Sequence, residues 1–137
     1  FEDVSLDAVV RSYVAAIGNK AGNNVTLHID TTFDWQRLPQ QVAYETYRII
    51  QEATANAMKH GNGDAIDISL RADDGSMCVR IDNSISPHTD DSLPRGDHGI
   101  GRQTLQKRAD RIGAKLTITE EGTRHSLTLT HRLGSEA

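Results

Sequence analysis

The sequence predicts an α+β domain built as a two-layer α/β sandwich, and three observations carry that reading. Helical and strand-like patterns follow one another in the order helix, strand, helix, two strands, loop, helix, two strands. Most of the strand patterns alternate apolar with polar residues, as a sheet with one packed and one wet face requires, so all helices are expected on one side. None has the continuous apolar run of a doubly wound parallel sheet. With 137 residues, the chain is expected to form a single domain, residues 1–137, burying roughly two thirds of its unfolded surface around one core.

Each element has its own signal. Leu6, Val9, Val10, Tyr13, Val14 and Ile17 recur at helical spacing, and Gly18-Asn19 stops them. Val25, Leu27 and Ile29 alternate with Thr26 and His28 as a strand, and Phe33 to Leu38 read as a loop leading to Pro39, a good first-turn residue. A long helix is expected from Pro39 to His60, stopped by Gly61-Asn62-Gly63. Ile66, Ile68 and Leu70, then Met77, Val79 and Ile81, form a hairpin around Asp73-Asp74-Gly75. Asn83 to His98 are rich in Ser, Pro, Asp, Gly and His and read as a long loop. A third helix is expected after Gly101, with Leu105, Ala109 and Ile112 on one face and Gly113 closing it. Leu116 and Ile118, then Leu127 and Leu129, make a last hairpin around Glu120-Glu121-Gly122-Thr123.

Composition excludes several classes of partner. The net charge is −4 and no run of Lys and Arg exceeds a pair, so neither nucleic acid nor an acidic membrane surface is an expected partner. The single cysteine, Cys78, has no intramolecular disulfide partner, which suits a reducing, cytoplasmic compartment. No apolar run approaches the ~18 residues that span a bilayer, and the chain begins at Phe1, as a piece of a longer protein would. Only 4% of residues are aromatic, too few to suggest a second ligand pocket.

The segment Glu52-Ala-Thr-Ala-Asn56-Ala-Met-Lys59-His60 bears the chemistry. At about 100° per residue, Glu52, Asn56 and Lys59 fall on a narrow arc beside the apolar arc of Val42, Ile49, Ile50, Ala53 and Ala57. A carboxylate, an amide oxygen and an ammonium beside a buried surface suit a magnesium-bound polyphosphate. A solvated helix edge is the alternative. Asp82-Asn83 ends the second hairpin strand, where a carboxylate can accept from the exocyclic amine of adenine; a turn-forming pair is the plainer reading. Strict alternation faces Asp82 away from Ile81, so it reaches a pocket only if the strand ends or bulges nearby. Gly96-Asp-His-Gly99-Ile100-Gly101 runs into the third helix, where glycine amides and a helix start favour phosphate, although neither a P-loop nor a Rossmann turn is present.

In this order and spacing, Glu52 to Asn56 with Lys59-His60, Asp82-Asn83, Gly99-Ile-Gly101 and Gly122-Thr123 resemble the N, G1, G2 and terminal Thr motifs of the Bergerat ATP-binding fold. Arg48-Ile-Ile-Gln-Glu-Ala-Thr-Ala-Asn-Ala-Met-Lys-His60 and Gly99-Ile-Gly-Arg-Gln-Thr-Leu-Gln-Lys-Arg-Ala109 are most similar to bacterial sensor histidine kinases of the nitrate-sensor and desaturase-regulator type. The resemblance spans roughly Val25 to Leu129 and implies a mixed, mostly antiparallel sheet.

It also implies roles. Asn56 would ligate Mg²⁺ on the ATP phosphates, and Glu52 would hold a water or the ion and act as base. Lys59 and His60 would approach the phosphates, while Asp82 would bind the adenine amine. Gly99, Ile100 and Gly101 would cradle phosphate, and Thr123 would close the adenine end. Ser84 to His98 would be a lid over ATP. The implied partners are a dimerisation domain of the same protein that carries the phosphoacceptor histidine, and a response regulator; the whole protein would be a homodimer that is membrane-anchored or free. Ser84 and Ser86 stand where the family carries glycines; either the backbone needs φ > 0 there and serine is strained, or the start of the lid takes another path. An anti-sigma-factor type Ser/Thr kinase and a non-catalytic nucleotide-binding module are the alternatives. His28, His88, His98, His125 and His131 lack metal-ligand spacing, and Arg102, Lys107, Arg108 and Arg111 read as a solvated helix face.

Overall fold

The computed structural model describes residues 4–18, 24–73, 75–85 and 95–133, with side chains left out of the description at 60–64, 85 and 95–102. Helix α1 spans Leu6–Gly18 and buries Leu6, Val10 and Ile17, the spacing that the sequence sets out. Strand β1 (Val25–Ile29) leads to a turn in which the Thr32 amide and hydroxyl both donate to the Asp30 carboxylate. Trp35 Nε1 donates to the Asp30 carbonyl at 2.8 Å, and Phe33 packs edge-on against the Trp35 ring. A short 3₁₀ turn, Trp35–Arg37, is capped by Asp34, whose carboxylate accepts from the Gln36 amide.

Helix α2 (Gln40–His60) follows Pro39 and presents Val42, Ile49, Ile50, Ala53 and Ala57 to the core. Strands β2 (Gly61–Asp73) and β3 (Ser76–Ile85) form the expected hairpin, with Gly75 at a φ of 77° in its turn. Helix α3 spans Arg95–Arg111 and closes on Gly113: Gly113 N–H donates to the Asp110 carbonyl and Ala114 N–H to that of Ala109, the paired bonds of a Schellman cap. Strands β4 (Lys115–Glu121) and β5 (Arg124–Arg132) complete a five-stranded sheet of order β1-β2-β3-β5-β4. Only β1 and β2 run parallel, because α2 carries the chain back across the sheet between them; the other pairs are antiparallel hairpins or neighbours.

The two layers follow from alternation. Ile66, Ile68, Leu70, Met77, Val79, Ile81, Leu127 and Leu129 are buried against α1, α2 and α3, while Arg71, Arg80, Thr117 and Thr130 face outward. The loop expected from Asn83 to His98 is shorter than anticipated: Asn83 to Ile85 continue β3, and α3 begins at Arg95. Its central part, residues 86–94, lies outside the described residues. Among the described residues no helix is long and apolar enough to cross a membrane.

Candidate functional site

Connectivity gathers four segments at one end of the sandwich. Strand β2 starts at the residue after α2 ends, and Gly61 pairs with Ile85, so the last turns of α2 are delivered to the end of β3. Ser84 pairs with Arg124, which sets the β4–β5 turn, with Gly122 at φ 60° and Thr123, at that same end. Arg111 reaches Glu45 whereas Arg108 reaches both Glu45 and Glu52, so α3 runs antiparallel to α2 and its start lies beside the α2 terminus.

On α2, the predicted polar edge is real. Asn56 and Lys59 are exposed, and Glu52 is half-buried one turn earlier. His60 is the last residue of the helix, and its side chain lies outside the description. Glu52 and Asn56 stand at i and i+4, so their oxygens project from successive turns of one edge. That pair suits an Mg²⁺ ion that keeps several waters and takes its remaining ligands from phosphate. Among the described residues no group of three or more His, Cys, Asp and Glu side chains is arranged to hold a metal on its own.

Glu52 is not a free carboxylate. Arg108 Nε donates to its Oε2 at 2.8 Å, and Arg48 stands 3.8 Å from the same oxygen. Arg108 also donates to Glu45 Oε1 at 3.0 Å, and Arg111 to Glu45 Oε2 at 3.3 Å. The expectation of a solvated basic face therefore fails for Arg108, whose side chain is only 15% exposed and sits beside the buried Ala109. Desolvation pulls its pKa down, but the hydrogen bonds it donates to Glu45 and Glu52 and then the charges of those carboxylates outweigh that, and the net shift is upward. Arg111 does keep half its side chain in water, and Lys107 is exposed. Glu45, buried with a side chain 7% exposed, escaped sequence reasoning altogether. Its signal was positional: it lies two turns before Glu52 on the same helix edge, facing a basic residue of a second helix.

Asp82 also needs correction. Strand β3 neither ends nor bulges at this point; it pairs with β5 without interruption from Ser76 to Ser84. The one irregularity is in β2, between Gly61 and Ile66. Alternation is therefore strict, and Asp82 is on the face opposite α2, in a row with Asp67 and Ser126. There Arg80 Nε donates to both its oxygens at 3.0 and 3.1 Å, Ser126 Oγ donates to Oδ1, and Arg124 stands at 3.9 Å. The residue that the sheet turns toward the helices is Asn83, 5% exposed, in a row with Ile66 and His125.

The glycine segment is helical rather than a loop. Gly99, Ile100 and Gly101 lie inside α3, which begins at Arg95, about two turns before the start expected after Gly101. Only the first four amides of a helix are free of its ladder, here those of Arg95 to His98, so in this form the amides of Gly99 and Gly101 are committed to it.

Comparison with known proteins bears on the family and the fold. Residues 42–133 match the family described as histidine kinase-, DNA gyrase B- and HSP90-like ATPase. The oxygen sensor histidine kinase NreB of Staphylococcus carnosus is 28% identical over 88% of this chain and 34% of its own length. The nitrate/nitrite sensor protein NarQ of Escherichia coli is 30% identical over 99% of this chain and 24% of its own. The chain thus spans a quarter to a third of these relatives. Among solved structures, the Erythrobacter litoralis blue-light-activated histidine kinase superposes with a TM-score of 0.74 at 17% identity, covering 98% of this chain and 47% of that one. The histidine kinase domain of the E. coli osmosensor EnvZ gives 0.70 at 12% identity, covering 98% and 89%. These structural likenesses speak for the fold alone. The match over residues 42–133, two thirds of the chain and all of the segments that meet at the site, places this protein in the histidine kinase-, DNA gyrase B- and HSP90-like ATPase family.

Proposed function

We propose that this chain is the ATP-binding catalytic domain of a two-component sensor histidine kinase, and that it transfers the γ-phosphoryl group of ATP to a histidine on a separate dimerisation domain. The observation that carries this reading is the convergence of the α2 edge, the end of β3, the start of α3 and the Gly122-Thr123 turn on one end of the sandwich.

Asn56 and Glu52 would hold Mg²⁺ through their side-chain oxygens, and the ion would supply charge neutralisation on the ATP phosphates. Lys59 adds a cation at the rim, and His60 closes the end of the helix. Thr123 lines the base end. Gly99, Ile100 and Gly101 contribute backbone amides to phosphate only when the first turns of α3 open. In the transfer, an imidazole nitrogen of the acceptor forms a bond to phosphorus as the Pγ–O bond breaks, ADP carries away the electron pair, and the imidazole proton passes to Glu52 or to water. Arg108 fixes the Glu52 carboxylate along the helix edge by donating its Nε–H to Oε2. Positioning and charge neutralisation supply the rate, since the chain offers little covalent chemistry of its own. A response regulator takes the phosphoryl group in turn, and the complete protein works as a homodimer.

The Asn56→Ala variant tests the site. It should weaken Mg-ATP binding by about tenfold or more in calorimetry, the loss of roughly one good contact. An unchanged affinity would remove Asn56 from the site. In the full-length protein, acid-labile phosphohistidine after incubation with Mg-ATP supports the kinase reading. ATP binding without it supports a non-catalytic module, and an acid-stable phosphoserine or phosphothreonine on a partner supports the anti-sigma-factor type.

A further inference from the structure

Discrimination between nucleobases depends on what the protein sets opposite the edge that differs. Adenine offers an amine donor and a ring acceptor there, while guanine offers a carbonyl acceptor and a ring N–H donor. An ionised carboxylate has only acceptors, so it pairs with the adenine amine and repels the guanine carbonyl. A primary amide carries one donor and one acceptor on the same plane. Turning it over about its last torsion exchanges them, and either base can then be matched by two hydrogen bonds.

Which group this chain presents is decided by the pleat. Asn83 lies on the helix-facing side of β3, two residues from the buried Ile81 and four from the buried Val79. Its neighbours in the row are the buried Ile66 and the part-buried His125, and the row ends at Glu120 on β4. Its Nδ2 donates to the Ser84 carbonyl at 3.2 Å, a local bond at the long end of the range that an incoming acceptor can take over. Asp82 is held on the other face by Arg80, Ser126 and Arg124. Bringing it round would rotate a strand paired on both sides and break all three contacts.

Resting on the nucleotide-site reading above, we propose that Asn83, not Asp82, is the base-reading side chain of this protein, and that its amide accepts both adenine and guanine nucleotides. The Oδ1 atom accepts from the adenine amine while Nδ2 donates to ring N1. With guanine, Nδ2 donates to the carbonyl and Oδ1 accepts from ring N–H. His125, beside Asn83 in the row, flanks the same edge.

The test is calorimetric titration of the chain with Mg-ATP and Mg-GTP at about pH 8, roughly four pH units above the ordinary carboxylate pKa, a margin that favours ionisation of an aspartate introduced at the buried position 83. Wild type is expected to bind the two within about tenfold of each other, because neither leaves a buried polar group unpaired. Asn83→Asp should raise the ATP-to-GTP preference by about tenfold or more, Asp82→Asn should leave the ratio where it was, and Asn83→Ser should weaken both nucleotides by similar factors. Circular dichroism checks that each variant is folded; should Asn83→Asp not fold, the Asn83→Ser and Asp82→Asn results decide. Rejection of GTP by about 100-fold or more in wild type, a ratio moved by Asp82→Asn, or unchanged affinities in Asn83→Ser would each overturn the assignment while ATP binding itself stands. Failure to bind either nucleotide would bring down the site reading with it.

Discussion

Replacing Arg108 with alanine removes the cation that ties α3 to α2, and the structure sets the size of the loss. Arg108 spans two carboxylates, donating at 3.0 Å to Glu45 and at 2.8 Å to Glu52. Glu45 is the costly one, because its side chain is 7% exposed and cannot rehydrate without opening the helix pair. Breaking a buried pair by removing one partner costs about 3–5 kcal/mol. Two features reduce that figure here. Arg111 stays 3.3 Å from the second Glu45 oxygen, and Glu52, 26% exposed, keeps access to water and to Arg48. A loss of about 2–4 kcal/mol remains, well above the ~1 kcal/mol ceiling of a surface pair.

The buried Trp35 indole is a built-in fluorescence reporter for urea unfolding. With slopes of roughly 1–3 kcal/mol per molar, the midpoint should fall by about 0.7–4 M. Arg108→Lys should lose about half as much, because an ammonium is a point charge that serves one carboxylate and cannot fork across two. Adding Glu45→Gln to Arg108→Ala should recover part of the loss, since no bare carboxylate is then left buried. A loss under about 1 kcal/mol at unchanged slope would refute the claim that this ion triad is desolvated in solution.

Two further outcomes follow from the same physical terms. Replacing Gly99 and Gly101 with alanine should stabilise α3 by about 0.5–1 kcal/mol at each position and weaken Mg-ATP binding, because a stiffer helix yields its amides less readily. Higher thermal stability with unchanged ATP affinity would show that these amides stay out of the site. At Asp30, the Thr32 hydroxyl and then the Thr32 amide hold the carboxyl below the ordinary range; burial opposes them, and the Ala72 backbone and Arg71 add to them. A depressed folded pKa gives stability that is present above the unfolded value of about 3.9 and is lost as pH falls through the folded one. The urea midpoint difference between wild type and Asp30→Asn should therefore be constant near neutrality and shrink below about pH 4, and a difference independent of pH would exclude this contribution.

Much of this protein is legible in its sequence, and the reasons differ by element. The helix of Leu6–Gly18, the Pro39-led α2, the two hairpins and the Gly113 cap were all readable, because each is enforced by periodicity or turn chemistry within a few residues. The α2 edge was readable for the same reason: helical geometry alone sets Glu52, Asn56 and Lys59 on one arc. The ends of β3 and α3 were not, since Asn83 to Ile85 carry no strong strand signal and gain their place only from pairing with β2 and β5. A start at Arg95 was equally hidden, because three glycines in the first turns of α3 argue locally against helix.

What the amino-acid order determined without help was local and periodic: which residues alternate, which turn, and which side of α2 is polar. Even the outward facing of Asp82 was implicit in that order, since strand alternation is a two-residue rule. Only the tertiary structure decided that no bulge in β3 would reverse it, that Asn83 takes the inward place, and that Arg108 leaves solvent to join Glu45 and Glu52. For Asp82, Asn83 and Arg108 the deciding partners lie 15 to 63 residues away along the chain. A charged side chain looks the same on a solvated face or a buried one until the opposing helix brings its carboxylates within 3 Å.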